Sequence, residues 1–117
     1  MPKIKTDSNR NERIAAKVQT IVAEIIRNNY ADDPILSGVS IVGSVARGGL
    51  QFVRLFFHCH TDDIDTVQRR LDIETRTIRF QMGQKLDQKY VPQIRFTYDD
   101  TLERAEKMDE LLSKISG

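Results

Sequence analysis

The spacing of the apolar residues changes along the chain from every third or fourth position to every second, which limits the folds open to it. From Asn9 to Tyr30 the helical spacing predicts one amphipathic helix with the apolar stripe Ile14, Val18, Ile21, Val22, Ile25 and Ile26. Residues 38–45 and 50–59 alternate at period two and predict two β-strands. The turn Ala46-Arg47-Gly48-Gly49 between them tolerates positive φ, so we predict a hairpin.

The alternation also assigns strand residues to the two faces of the sheet. In the first strand we expect one shared face for Val39, Ile41 and Val45. In the second strand the predicted core face consists of Val53, Leu55, Phe57 and Cys59. Its other face is unusual for a plain solvent face because it carries Phe52, Arg54, Phe56 and His58.

The second half of the chain predicts further helices around one strand. A helix capped by Thr61 is followed by a break or kink near residues 73–77, predicted from the β-branched Ile73, Thr75 and Thr77. A third helix then presents Ile78, Met82 and Leu86, Pro92 begins the third strand, and residues 101–115 form the last helix. The order α-β-β-α-α-β-α predicts a single α+β domain over residues 1–117, with a three-stranded sheet packed on helices and a flexible segment 1–9.

Length and apolar content exclude several classes of protein. The 117 residues suit one domain, and no apolar run approaches the roughly 18 residues that span a bilayer. The first residues lack the apolar core of a signal peptide, and the single cysteine cannot form an intramolecular disulfide. We therefore expect a soluble cytoplasmic protein, and a monomer.

Metal and catalytic sites have little support in the sequence. His58 and His60 share a strand face, but zinc takes about four ligands and no partner set with suitable spacing occurs. Cys59 points the other way, which predicts a buried thiol rather than a nucleophile. The paired aspartates sit at predicted turns and caps. We expect no metal, no cofactor and no enzymatic activity.

The charges are unevenly distributed although the net charge is only +1. Residues 1–30 contain six basic and three acidic side chains, and residues 69–95 contain seven and three. The acids concentrate in the predicted caps and in the last helix. If the two basic segments share a surface, that surface suits phosphate groups; the alternative is that they are ordinary solvated helix faces.

The aromatic face of the sheet has two interpretations. Phe52, Arg54, Phe56, Arg95 and His58 could stack nucleobases, because aromatic rings interleaved with arginines suit single-stranded nucleic acid. Alternatively, the last helix or a second copy of the chain covers Phe52 and Phe56, and we favour this alternative.

Motifs in the second half resemble the ribosome-binding factor A family. Its carboxyl-terminal pattern, V-P-x-[IL]-x-F-x-Y-D followed by a leucine-rich helix, is matched by Val91, Pro92, Ile94, Phe96, Tyr98, Asp99, Leu102, Ala105, Lys107, Met108, Leu111 and Leu112. Upstream, the pattern I-R-x-x-[LM]-G is matched by Ile78, Arg79, Met82 and Gly83. With an opening match from Arg13 to Ile21, the resemblance extends over residues 10–115.

The resemblance implies a type II KH-like domain that binds the small ribosomal subunit and its ribosomal RNA. It further implies a role in late subunit maturation, with rRNA processing, and in growth in the cold, without catalysis or a cofactor. The chain departs from the family where Glu74-Thr75-Arg76 replaces an A-x-G kink. It also lacks the G-x-x-G that KH domains use to clamp nucleic acid.

The resemblance and the charge pattern together predict which cations contact RNA phosphates. Near the expected kink and along the following helix these are Arg76, Arg79, Lys85 and Lys89. A second group on the first helix, with a pair at the end of the second, comprises Arg10, Arg13, Lys17, Arg69 and Arg70. The rival hypothesis is a KH-like module that has become a protein-interaction domain, with Phe52 and Phe56 as anchors.

Overall fold

The computed structural model describes the backbone of residues 2–116 and the side chains of residues 10–115. Its elements are α1 (Pro2–Asn29), a 3-10 turn (Leu36–Gly38), β1 (Ser40–Arg47), β2 (Phe52–His58), α2 (Ile64–Lys85), β3 (Gln93–Tyr98) and α3 (Thr101–Ser116). The predicted α+β class with a three-stranded sheet is confirmed. The predicted flexibility of residues 1–9, of which Met1 lies outside the described residues, stays a prediction.

The sheet has the strand order β1-β2-β3, in which β1 and β2 are antiparallel and β2 and β3 are parallel. Its inner face packs against α1 and α2, and the resulting core contains the fully buried Val53, Leu55 and Phe57. Cys59 is also buried, so the predicted core face of β2 is confirmed. Because both helices lie on this side, the outer face of the sheet is left open.

A bulge in β1 overturns the predicted face of Val45. Ile41 pairs with Phe57 on the inner face, but the register shifts between Ile41 and Gly43, and Val45 then pairs with Arg54 on the outer face. An extra residue in one strand reverses the alternation beyond it. Val45 is accordingly exposed, and Ala46 takes its place against the core.

The hairpin turn lies two residues later than predicted, after β1 ends at Arg47. Gly48, Gly49 and Leu50 all have positive φ, at 57°, 60° and 77°. Glycine adopts this backbone conformation at no steric cost, whereas Leu50 is strained there. Since Leu50 packs against the core, the apolar contact offsets that strain.

The helix α2 is continuous from Ile64 to Lys85, so the predicted break and the separate third helix are wrong, while a kink within the continuous helix stays a prediction. Buried Leu71 and Ile78 lie two turns apart, which keeps the apolar stripe in phase across residues 73–77. Each β-branched residue disfavours a helix by less than about 0.7 kcal/mol, whereas burial of the Ile78 side chain stabilises the fold by about 1.5–3 kcal/mol. Thr75 also remains helical, with its hydroxyl donating to the Leu71 carbonyl oxygen at 2.7 Å.

The helix ends differ from the predicted ones at both α1 and α2. The first helix begins at Pro2 rather than Asn9. The cap of α2 is Asp63 rather than Thr61: the Asp63 carboxylate accepts from the Thr66 N–H, and Thr61 accepts from the Asp63 N–H. No helix within residues 2–116 is both long and apolar enough to span a membrane.

The last helix, α3, projects from the sheet instead of covering it. Its described side chains are all exposed, and no other element packs against it in the described part of the chain. The radius of gyration is 16.7 Å, against about 13 Å for a compact chain of this length. The expectation that α3 covers the outer sheet face is therefore wrong.

Candidate nucleic-acid interface

The hairpin turn, the start of β3 and the carboxyl end of α2 meet at one end of the molecule. The Gln93 N–H donates to the Gln51 carbonyl oxygen at 2.9 Å, which fixes the start of β3 beside the turn. Val91 lies against Gly83 so closely that a Cβ built there would stand 3.1 Å from a Val91 methyl carbon. The last turn of α2 therefore lies at the same end of the sheet.

The amino-terminal half of α1 reaches this end as well. Ala15 and Ala46 line one shallow hollow, whereas Ile26 and Ile41 line another. The helix therefore runs antiparallel to β1, and its first turns lie near the hairpin.

Among the side chains of residues 10–115, six cations lie at this end of the molecule, which we call the basic end: Arg10, Arg13, Lys17, Arg47, Lys85 and Lys89. All six are exposed, and in the same range they outnumber the neighbouring carboxylates of Glu12 and Asp87. On α1, Arg10, Arg13 and Lys17 follow one another at helical spacing and share a side of the helix. Two basic segments of the sequence thus contribute cations to the hairpin end of the sheet, Arg10, Arg13 and Lys17 from beside β1 and Lys85 and Lys89 from the end of α2. The carboxyl-terminal Asn29 of α1 also donates a hydrogen bond to Gln81, so α1 crosses α2 obliquely.

The opposite end of the molecule is acidic. Asp63, at the start of α2, and Asp99, after β3, both lie there, because the Asp99 N–H donates to the Phe57 carbonyl oxygen at the end of β2. Hydrogen bonds from Thr66 lower the pKa of Asp63, and those from Thr101 lower the pKa of Asp99. The helix α2, which runs from the acidic end to the basic end, is about 33 Å long, so the negative and positive charges are separated along the molecule.

Arg69 and Arg76 lie on the solvent side of α2, two turns apart and away from the buried Leu71 and Ile78. Both side chains are exposed, and neither is used in the packing of the fold. Exposed Asp65 and Asp72 each lie one turn before them on the same side of α2, so this side of the helix carries both signs of charge.

Arg79 has a structural role that the sequence did not reveal. Its Nη2 donates to the Val91 carbonyl oxygen at 2.8 Å and its Nε to the Pro92 carbonyl oxygen at 3.0 Å. These bonds tie α2 to the segment that leads into β3. Gly83, one turn further along α2, has no side chain and so leaves room for Val91. The I-R-x-x-M-G motif therefore fixes the position of the V-P motif.

Arg70 is likewise held by a partner within the protein. Its Nη2 lies 2.7 Å from Asp33 Oδ2, while Asp33 Oδ1 accepts from the Leu36 and Ile35 N–H groups at 2.9 Å. The Leu36 N–H, with the Ile35 N–H and Arg70, lowers the pKa of Asp33. Arg70 therefore secures the loop after α1.

The histidines near the end of β2 form ring contacts with one another and with Tyr98. His58 stacks on Tyr98 with ring centroids 6.2 Å apart, and His60 meets His58 edge-on at 6.3 Å. Among the described residues, no group of three or more His, Cys, Asp or Glu side chains is placed to hold a metal ion.

The structure thus sorts the nine predicted contact residues into three groups. Five lie together at the basic end, Arg69 and Arg76 lie along α2, and Arg70 and Arg79 are engaged in packing the fold. Arg47 belongs to the first group and was missed. The signal for it was its place beside the predicted hairpin turn, where it pairs with Phe52 on the outer face of the sheet.

Comparison with known proteins places the chain among relatives of similar length. A family model described as "Ribosome-binding factor A" matches residues 10–112. A protein of that name from Limosilactobacillus fermentum is 29% identical over 109 residues, covering 91% of this chain and 90% of the relative. Another from Nitrosospira multiformis is 30% identical over 118 residues, covering 97% and 89%.

Solved structures share the fold. The crystal structure of ribosome-binding factor A from Thermus thermophilus has a TM-score of 0.66 at 14% identity and covers 75% of this chain and 94% of that chain. A homology model of the Thermus thermophilus factor, fitted into a cryo-EM map of a 30S complex, has a TM-score of 0.65 at 13% identity, with 76% and 94% covered.

Proposed function

The chain belongs to the ribosome-binding factor A family, and on that premise we propose that it binds the small ribosomal subunit through ribosomal RNA. The observation that carries the proposal is the basic end, to which two basic segments distant in sequence each contribute exposed cations. Such a surface suits closely spaced phosphates, because each neutralised phosphate releases condensed counterions.

The cations have different tasks in this proposal. Arg10, Arg13, Lys17, Lys85 and Lys89, joined by Arg47, contact phosphates at the basic end, and Arg69 and Arg76 extend the contact along α2. Phosphate contacts fix the register of the protein on RNA and carry no base sequence. Arg70 and Arg79 act indirectly, because their hydrogen bonds hold the loop after α1 and the entry to β3.

The domain is type II KH-like, and it works by binding alone, in the cytoplasm, as a monomer without catalysis or a cofactor. The continuous helix α2 stands where KH domains have a turn that clamps nucleic acid. We therefore assign the main RNA contact to the basic end.

The biological role that follows is assistance in late maturation of the small subunit, including rRNA processing, with a demand that is greatest in the cold. Cells depleted of the protein should accumulate precursors of the small-subunit rRNA and grow slowly at low temperature. Normal precursor levels after depletion would refute this role and leave subunit binding untouched.

Charge reversal at the basic end tests the binding surface. We expect Arg13→Glu combined with Lys17→Glu to abolish cosedimentation with purified small subunits. The matched control is Arg104→Glu, an exposed cation of α3 that pairs only with Asp100 four residues before it among the described residues. Equal binding by the reversed variant and the control would contradict the proposal.

A further inference from the structure

The outer face of the sheet forms a second surface, distinct from the basic end in its chemistry. It carries Phe52, Arg54, Phe56 and Arg95, and we call these four residues the aromatic sheet face. α1 and α2 pack on the other side, and α3 packs on neither side in the described part of the chain. Phe52 remains 38% exposed, which is high for a phenylalanine in a sheet.

Neither ring is buried in the core of the fold. Phe56 crosses over Gly43, where a Cβ would meet its ring at 3.7 Å. Phe52 has the Arg95 guanidinium 5.6 Å from its ring centroid. Four residues along a strand separate the rings by about 13 Å, so a single stacked base does not contact both.

The charges of this surface are positive only. None of the three strands contains an Asp or Glu, and Arg54 lies directly beside Arg95 in the register of β2 and β3. Two like charges side by side destabilise a sheet, and no described carboxylate forms an ion pair with either arginine. At the β3 edge, Asp72 borders the hollow beside them but accepts a hydrogen bond from Gln68.

From this arrangement we propose that the aromatic sheet face binds unpaired RNA nucleotides, with bases stacked on Phe52 and Phe56 and phosphates between Arg54 and Arg95. Base stacking on a sheet with adjacent cations is a general mode of single-strand recognition. A polyanion also removes the repulsion between the two arginines, which an apolar partner would not do. This inference rests on the proposed function only in taking RNA as the partner.

Binding of a fluorescent oligouridylate of about ten nucleotides, followed by anisotropy, tests the proposal on the full chain. Phe52→Leu with Phe56→Leu keeps an apolar side chain at each position but removes both stacking surfaces, and we expect at least about tenfold weaker binding. Arg95→Gln, at an exposed position, should weaken binding severalfold and provides a second variant should the first misfold. Unchanged affinity in these variants, or no binding by the unaltered protein, overturns the proposal.

A matched substitution shows whether the effect belongs to this surface. Phe80→Leu changes a phenylalanine that is 68% exposed on α2, on the other side of the sheet, and should leave oligouridylate affinity unaltered. Loss of affinity in Phe80→Leu equal to that of the double variant would overturn the assignment to the sheet.

Cosedimentation of the same variants with small subunits separates this inference from the proposed function. If oligouridylate affinity is unchanged while the unaltered protein still binds subunits, the sheet proposal fails and the proposed function stands. If the double variant loses subunit binding but keeps its affinity for oligouridylate, the face contacts protein, which contradicts the RNA proposal.

Discussion

Arg79 on α2 donates a hydrogen bond to the carbonyl oxygen of Val91 at 2.8 Å, and the same guanidinium bonds the next carbonyl at 3.0 Å. This contact joins the end of the long helix to the strand that completes the sheet. It assigns the motif I-R-x-x-M-G to the construction of the fold rather than to direct contact with a ligand.

Replacing Arg79 should therefore reduce stability. We expect Arg79→Gln to lower the free energy of unfolding by about 1–3 kcal/mol, because two charge-assisted hydrogen bonds are lost. Urea denaturation followed by circular dichroism measures this change. The control is Arg76→Gln, which removes an exposed cation and should change stability by less than about 0.5 kcal/mol. Equal effects of the two substitutions would contradict a structural role for Arg79.

The continuity of α2 predicts the effect of a glycine at Arg76, which lies in the interior of the helix. Arg76→Gly should lower the free energy of unfolding by about 1 kcal/mol relative to Arg76→Ala, since glycine disfavours a helix interior. Both variants lose the same charge, so their difference reports the backbone alone. If Arg76→Gly is the more stable variant, the helix favours a kink at this position.

The geometry of the hairpin turn predicts that substitution of Gly49 lowers the stability of the protein. Its φ is 60°, and nothing lies within 4 Å of a Cβ built there, so steric contact with neighbours plays no part. We expect Gly49→Ala to cost about 1–2 kcal/mol through the backbone conformation alone, and Gly49→Asn to cost less. Thermal unfolding of the two variants should preserve this order; a fully stable Gly49→Ala protein would contradict the turn geometry.

The Asp33 carboxylate predicts part of the response to acid. Hydrogen bonds from the Leu36 and Ile35 N–H groups, together with Arg70, hold its pKa below the ordinary value of 3.8. The unfolded chain therefore takes up this proton at a higher pH than the folded protein does, and the stability due to Asp33 is lost as pH falls below that value.

Denaturation at pH 7 and at acid pH measures this contribution. Asp33→Asn should be less stable than the unaltered protein at pH 7 and should lose less stability on acidification. Asp63 and Asp99, whose pKa values are also lowered, are present in both proteins, so the difference isolates Asp33. Parallel stability curves for the two proteins would contradict the prediction.

The sequence predicted most elements because apolar periodicity reports directly on burial, as in the core face of β2. It failed where a contact outside the element decides the outcome. The bulge at β1 exposed Val45, and the in-phase stripe from Leu71 to Ile78 outweighed the β-branched residues of α2. Periodicity in residues 101–115 correctly predicted α3 but could not show whether its apolar side has a partner.

The sequence identified most residues of the candidate site, but it did not show the role of each residue. Counting charges by segment identified most of the basic end, since exposed cations are easily recognised in a helix. The engagement of Arg70 and Arg79 was not predictable, because Asp33 and Val91 are 37 and 12 residues away in the sequence. Arg47 was missed because it lies outside both basic segments of the sequence, at the end of β1 where it pairs with Phe52.

The salt dependence of binding to small subunits tests the central claim most directly. If about six phosphates are neutralised at the basic end, raising salt from 50 to 200 mM should weaken cosedimentation about a thousandfold. Removing Lys17 by Lys17→Gln should then reduce the slope of log affinity against log salt by about one. A flat salt profile for the unaltered protein would contradict phosphate recognition by this surface.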